Sequence, residues 1–319
     1  MDVSPVLEIV KEILQVPFSY LLSPSKRVFV LYLVTSGIIA YYVFKTGKFK
    51  GKFFHYIFNK TVWVGKSALI DYGLIFFNAL VKVIVLTPFF AFALYLAQGT
   101  ESYLITKFGK STYDFTTTQL VVSYTILIVV LNDFVTFIIH YIMHKVPFLW
   151  EFHKIHHSAT HLNPFTQYRI HPVELIINNL GEVFSKGCLT GVFLYLAAGQ
   201  ISLLTFLGVN ILNFLFYFLG ANLRHSHVKF KYFNFLEYVL ISPFQHQIHH
   251  SNNPEHYDTN LGSRFAFWDW MFGTLRTSKT VNHIEFGLGE EEDKHYDSFL
   301  KNLVNPFINL KNKVFRKNT

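Results

Sequence analysis

Cysteine is almost missing from this chain of 319 residues: Cys188 stands alone. A single thiol closes no intrachain disulfide and assembles no thiolate cluster, so a metal site must be built from histidine and carboxylates. Charge is scarce as well. Asp, Glu, Lys and Arg make up 15% of the residues, against about a quarter in soluble domains. Hydrophobic residues make up 51%, and phenylalanine alone occupies 36 positions. That balance excludes an ordinary soluble domain and points to a membrane protein. The chain also lacks internal repeats and low-complexity tracts. Its first residues, "MDVSPVLEIVKEILQVPFSYLL", have neither a basic n-region nor a small-residue cleavage site. They read as an amphipathic interfacial helix and not as a secretory signal peptide. The net charge of +8 does not call for nucleic acid, and no such partner is expected. The lysines flank apolar runs, where they would meet anionic headgroups.

A membrane-crossing helix needs about 20 mostly apolar residues. Five segments approach this: 28–44, 83–98 (with Lys82 at its start and Pro88 inside), 120–139, 187–198 and 201–223, the last two read as a helical hairpin. The expected fold class is an all-α integral membrane protein with about four to five transmembrane helices and a cytoplasmic helical cap. Lys45, Lys48, Lys50, Lys52, Lys60 and Lys66 in the first loop put that loop in the cytoplasm. The histidine-rich stretches then all fall on the cytoplasmic face.

Those stretches are the strongest signal. His140 and His144 are spaced i, i+4, one helical turn apart. His153, His156 and His157 follow an i, i+3, i+4 pattern, and His246, His249 and His250 repeat it in "HQIHH". Clustered imidazoles repel or desolvate one another unless a metal holds them. Eight ligands exceed the four of one tetrahedral zinc, so two ions fit the count; imidazole alone does not choose among iron, zinc, copper and nickel. A helical zinc peptidase would place Glu directly after the first histidine, whereas Tyr141, Lys154 and Gln247 follow here. A transporter would hold its ligands near the bilayer midplane, whereas these lie at helix ends. A metal-dependent membrane hydrolase and a metal transporter remain the alternatives to an oxidase.

The series HxxxH, HxxHH and HxxHH resembles the fatty acid hydroxylase superfamily, which includes sterol desaturases, sterol methyl oxidases and alkylglycerol monooxygenase. The segments "YRIHPVE", "LRHSHV" and "DTNLGSRFAFWDWMFGTL" are similar to pieces of its bacterial members, sterol desaturase relatives among them. The resemblance covers roughly residues 118–276. It divides the chain into 1–117 (interfacial helix and two spans), 118–276 (catalytic domain) and 277–319 (cytoplasmic tail).

The resemblance implies a non-haem di-iron site (Fe2+/Fe3+, with zinc able to substitute on overexpression) that uses dioxygen to oxidise a lipid C–H bond. Carried over by position, His140, His144, His153, His156, His157, His246, His249 and His250 are iron ligands, His225 is a ninth, and His171 is a tenth candidate or else a loop anchor beside Pro172. His227 reads as a hydrogen-bonding neighbour of the ligands. Asp133 lies on the same helix face as His140, roughly 10 Å away along the axis. It is a candidate catalytic or orienting residue, as is Asn260; Asp258, also beside His256, is a candidate for orienting the ligands. The family pattern commonly has aromatics before its first box and Arg after its first histidine. Thr136, Ile138 and Tyr141 depart from it, which leaves the box intact and alters the substrate surroundings. Hydroxylation is preferred to desaturation because it needs one hydrogen abstraction. The substrate is a lipid entering from the bilayer. The electrons come from an external donor, either a cytochrome b-type or ferredoxin-type protein or a pterin, since the chain has no flavin motif, CxxCH or GxGxxG. The expected location is the bacterial inner membrane, or the endoplasmic reticulum membrane in a eukaryote, with the site facing the cytoplasm.

Overall fold

The computed structural model describes residues 4–199 and 210–316. Among them the regular structure is helical, with two isolated bridges, Leu240 with Phe265 and Ser251 with Phe286, as the only β pairing. Among the described residues three helices are long and apolar enough to cross a membrane: Lys66–Leu86, Thr117–Lys145 and Pro172–Ala197. The shorter apolar helix Val30–Thr46 precedes them.

Local chemistry sets the helix starts. Thr116 and Gln119 form a reciprocal capping box at the head of Thr117–Lys145, which satisfies two backbone donors. Pro147 and Pro172 open their helices, in the first turn, where the backbone N–H has no intrahelical partner to lose. Between Lys82 and Leu86 the backbone widens into a π-turn, and Pro88 then stands in the first turn of the helix Thr87–Phe108. Proline has no N–H to give to the preceding turn, so the ladder changes register there.

The expected span 83–98 falls across two helices: 83–86 close Lys66–Leu86, and 87–98 lie in Thr87–Phe108. The polar residues of Lys66–Leu86, Asp71 and Asn78, are both buried against protein. Asn78 donates to the Ile170 carbonyl at 2.8 Å. The outer face keeps Leu69, Phe76, Ile84 and Val85 exposed, as a lipid-facing helix requires. Lys82 donates to the Tyr20 hydroxyl at 2.9 Å and so docks against the helix Ser4–Leu22. That first helix exposes Leu7, Leu14, Phe18 and Leu22.

The expected hairpin is also revised. Its first arm belongs to the continuous helix Pro172–Ala197, which starts fifteen residues before 187; most of the turn and the first part of the second arm lie outside the described residues. What is described of that arm is a short helix, Ile211–Phe218, and a 3-10 turn, Ala221–Arg224. Pro172–Ala197 packs along Thr87–Phe108 and Thr117–Lys145. A Cβ on Gly187 would lie 2.8 Å from the Leu96 Cβ, so glycine there lets two helices approach closely. Ala97, Leu120, Tyr124, Ile128, Val129, Phe193 and Ala197 fill the core between the three helices, and Ser185 donates to Asn132 at 2.7 Å. Thr117–Lys145 ends where Pro172–Ala197 begins, and the histidines collect at that end.

Candidate metal centre

Four elements converge there. The last two turns of Thr117–Lys145 carry His140 and His144, Pro147–His157 carries the second box, the 3-10 turn Ala221–Arg224 delivers His225, and Pro243–His249 with its cap His250 carries the third box. Ser242 and Gln245 form a capping box that fixes the start of the third-box helix.

The nine imidazoles divide into two groups. His140, His144, His153, His157 and His249 form one, and His156, His225, His246 and His250 form the other. Within each group one nitrogen of every ring lies within 4.8 Å of one from every other. The i, i+4 pairs stay together (140 with 144, 153 with 157, 246 with 250), because residues four apart share a helix face. The remaining histidine of each HxxHH box crosses to the other group. His156 and His157 therefore join the two groups through one helix, and His249 and His250 through another.

The hydrogen bonds around the rings decide where their lone pairs point. Nδ1–H of His140 donates to the Leu261 carbonyl at 2.7 Å, that of His249 to the Thr259 carbonyl at 2.9 Å, and that of His156 to the Arg169 carbonyl at 3.3 Å. His153 Nδ1 meets Glu174 Oε1 at 2.9 Å and His144 Nδ1 meets Asp258 Oδ1 at 3.1 Å. A neutral imidazole has one N–H, so with the two carboxylates ionised all five rings turn a bare Nε2 inward. His140 Nε2 nevertheless lies 3.0 Å from His153 Nε2. Two lone pairs at that distance repel, and a cation between them removes the repulsion. Nε2 of His144, His157 and His249 is buried without a partner, which is costly for a polar atom. The donor set thus fits two metal ions, one per group, held by nitrogen.

Burial also keeps the rings uncharged. It pushes His153 and His156 down to about 3, the neighbouring His153 adding to the effect at His156. His157, His225, His246, His249 and His250 lie well below the ordinary imidazole value, first from burial and then from neighbouring rings or Arg224. Neutral imidazole is the form that binds metal.

Behind the rings, buried polar groups fix the supports. Arg169 is fully buried: Nε donates to the Ile155 carbonyl at 3.1 Å, Nη2 to Ser158 Oγ at 2.8 Å, and Nη1 pairs with Asp71 Oδ1 at 3.2 Å. Asp71 also accepts from Thr166 Oγ1 at 2.6 Å. The second-box helix is thereby tied to the Lys66–Val81 helix. Asp258 and Asn260 have left-handed backbones (φ 57° and 55°), which Asp and Asn tolerate better than other side chains. The turn they make presents the Asp258 carboxylate to His144 and the Thr259 carbonyl to His249.

Of the other residues expected at the site, His171 stands outside both groups. Its Nδ1 accepts from the Val173 amide at 3.1 Å, capping Pro172–Ala197, and its Nε2–H donates to the Leu303 carbonyl at 3.2 Å. His227 packs edge-on against Tyr56. Asp133 is buried and accepts from Arg264 Nη1 (3.1 Å), the Phe265 amide (3.0 Å) and Trp268 Nε1 (3.2 Å), so it clamps the 264–268 segment to the helix that carries His140. Asn260 donates to the Gln245 carbonyl at 3.0 Å and accepts from the Arg276 amide at 2.8 Å, bracing the third-box helix. Glu174, Asp71 and Arg169 were not foreseen. Glu174 stood in plain view as an acidic residue in the first turn after a histidine–proline pair.

The fatty acid hydroxylase family model matches residues 125–274, a stretch that contains all nine clustered histidines, Glu174 and Asp258. The chain is 25% identical over 185 residues to the ornithine lipid hydroxylase OlsE of Rhizobium tropici, covering 57% of this chain and 50% of that protein. It is 31% identical over 163 residues to the cholesterol 25-hydroxylase of Homo sapiens (50% and 53%) and 26% identical over 170 residues to the alkylglycerol monooxygenase of Caenorhabditis elegans (53% and 30%). The chain thus spans about half the length of these relatives, or less. No solved structure matches it.

Proposed function

Residues 125–274 are a domain of the fatty acid hydroxylase family, and from that premise we propose that the chain is a membrane-bound, dioxygen-dependent lipid hydroxylase working with two iron ions. The observation that carries this reading is the pair of inward-facing imidazole groups, with His140 and His153 turning bare Nε2 atoms toward each other at 3.0 Å. His140, His144, His153, His157 and His249 would hold one ion, and His156, His225, His246 and His250 the other. Such ions supply the activation of dioxygen and the oxidation of an unactivated C–H bond.

The chain's own residues do the rest. Glu174, Asp258 and the carbonyls of Leu261, Thr259 and Arg169 hold the Nδ1 protons outward, so the Nε2 lone pairs stay inward. Burial excludes water and keeps the rings neutral. The site lies at the end of three apolar helices, so the lipid reaches it sideways from the bilayer. Electrons come from a separate donor, either a protein or a diffusible pterin. Hydroxylation is favoured over desaturation because it ends after one hydrogen abstraction. The membrane is a bacterial inner membrane or its endoplasmic reticulum counterpart, with the site on the cytoplasmic side.

The test is a mass-spectrometric comparison of total lipids from aerated cells expressing the protein or its His156→Ala variant, with iron bound to each purified protein measured in parallel. A lipid heavier by one oxygen atom, formed only with the wild type, is the expected result. A lipid lighter by two hydrogens would replace hydroxylation with desaturation. An unchanged lipid pool together with an iron-free protein would overturn the reading.

A further inference from the structure

The ring pair Phe216 and Tyr217 is surrounded by more positive charge than the protein neutralises. Arg224 lies over the Phe216 ring with Cζ 5.4 Å from the centroid, and Arg264 lies 6.0 Å from the same centroid. Arg264 and Arg27 lie 5.8 and 5.6 Å from the Tyr217 centroid. Asp133, on Arg264, is the one carboxylate bonded to any of the three among the described residues.

Arg224 is the anomaly. It is 2% exposed, and its Nε and Nη2 have no hydrogen-bond partner. Arg264 Nε is likewise unpartnered, and Asn222, on the same 3-10 turn as Arg224 and equally buried, has neither amide atom engaged. A buried guanidinium without a counter-charge is strongly disfavoured. Stacking over a ring satisfies its face and leaves the in-plane N–H donors free, and those donors match the two oxygens of a carboxylate or phosphate. Arg224 directly precedes His225, so an anion on it would sit beside the second imidazole group.

We propose that Arg224, supported by Arg27 and Arg264, binds the anionic group of the lipid substrate, a carboxylate or a phosphate. This assignment rests on the reading of the chain as a lipid hydroxylase and narrows its substrate to lipids with a negatively charged group. Neutral sterols and neutral glycerol ethers lack the group that Arg224 is built to take.

The experiment measures binding apart from turnover. Full-length, metal-loaded protein in an uncharged detergent is titrated with a fatty acid, a monoacyl glycerophosphate, the neutral monoacylglycerol of the same chain length and inorganic phosphate, with tryptophan fluorescence as the readout. The two anionic lipids should bind about tenfold or more tightly than the neutral one, and Arg224→Gln should abolish that preference with bound metal unchanged. Arg27→Gln, at a partly exposed position, should weaken it as well and serves if Arg224→Gln fails to fold. Equal binding of neutral and anionic lipids, or an unaltered preference in both variants, would overturn the proposal. So would binding of inorganic phosphate as tight as that of the lipids, because the ligand would then be a free anion. Oxidised lipid in cells with no charge preference in vitro would sink the anion site alone. Protein free of iron and lipids left unoxidised would sink the hydroxylase reading whatever the titrations gave.

Discussion

Glu174 and His153 stand 21 residues apart on two helices, and their side chains meet at 2.9 Å with both buried. The contact fixes which nitrogen of His153 keeps its proton and so aims Nε2 at His140. Carboxylates in this position usually raise ligand basicity and metal affinity. Glu174→Gln keeps the shape and loses the charge. It is expected to weaken metal binding about 10–100-fold, measured by competition with a chelator of known affinity. Affinity unchanged within twofold would make Glu174 a packing residue only.

Two separate groups predict two separable ions. His246→Ala removes a nitrogen from the four-membered group, and His144→Ala removes one from the five-membered group. The first variant should lose the metal of its own group and keep the other, so that one metal remains per chain. The second should lose occupancy less, because four nitrogens remain in its group. Elemental analysis of purified protein reads both. Complete metal loss in both variants would mean that the two groups bind as one unit.

Asp71 and Arg169 form an ion pair with almost no exposure on either side. Removing one partner leaves the other charged and buried, which costs about 3–5 kcal/mol. Asp71→Asn should therefore unfold at markedly lower denaturant concentration. It should also loosen the second-box helix, since Arg169 bonds both its Ile155 carbonyl and Ser158. Denaturation in detergent followed by circular dichroism checks the first effect, and metal retention checks the second. A double change to well-packed apolar residues should cost less than the single one.

The histidine boxes were legible in the sequence because helical spacing is local: 140 with 144, 153 with 157 and 246 with 250 each share a face whatever the rest of the chain does. The supports were not, because Asp71 and Arg169 are 98 positions apart and nothing near either names the other. The expected second span, 83–98, crossed a helix boundary, because the apolar sequence runs on from Lys66–Leu86 into Thr87–Phe108. Within the first of these helices Asp71 and Asn78 are polar, yet both are satisfied by the 163–170 segment. The stretch 172–186 lowered the apparent hydropathy of its helix through Asn178, Asn179, Glu182 and Lys186, so only its distal half was read as a span. His171 lies near the boxes in sequence, but its backbone begins a helix and its ring is used as the cap.

Asp269 should give the protein a pH signature. Its carboxyl accepts from the Leu261 and Gly262 amides at 2.7 and 2.8 Å and from Thr274 Oγ1 at 2.6 Å. A Cβ on Gly262 would come within 2.7 Å of that carboxyl, so the cradle requires glycine. Burial pushes Asp269 up from its ordinary 3.8 to about 6, with the hydrogen bonds opposing. A raised folded-state value means that its contribution is fully present below about 4 and is lost as pH rises through about 6. The loss is on the order of 3 kcal/mol. Asp269→Asn cannot ionise, so the stability difference between wild type and variant should shrink across that window. Melting temperatures at pH 4–7 read it, and a constant difference would refute the assignment.

The C-terminal helix Phe299–Arg316 lies outside the matched domain yet holds the second box from behind. Asn309 donates to Glu151 Oε2 at 2.9 Å and Lys313 also pairs with Glu151. Ser158 Oγ donates to Asn302 Oδ1 at 3.3 Å, the Leu303 carbonyl accepts from His171, and Phe307 packs edge-on against Phe152. Phe152, Ser158 and Glu151 all flank the ligands His153, His156 and His157, so the helix should stabilise the metal groups as well as the fold. Hydrogen bonds of this kind contribute about 1 kcal/mol each. A chain ending before Phe299 should therefore melt roughly 5–10 °C lower and release metal faster to a chelator. Leu300 and Phe315 are exposed on the outer side and touch none of these groups, so Phe315→Ser should leave both quantities unchanged. If Phe315→Ser reproduced the truncation, the helix would act through the membrane surface and not through Glu151.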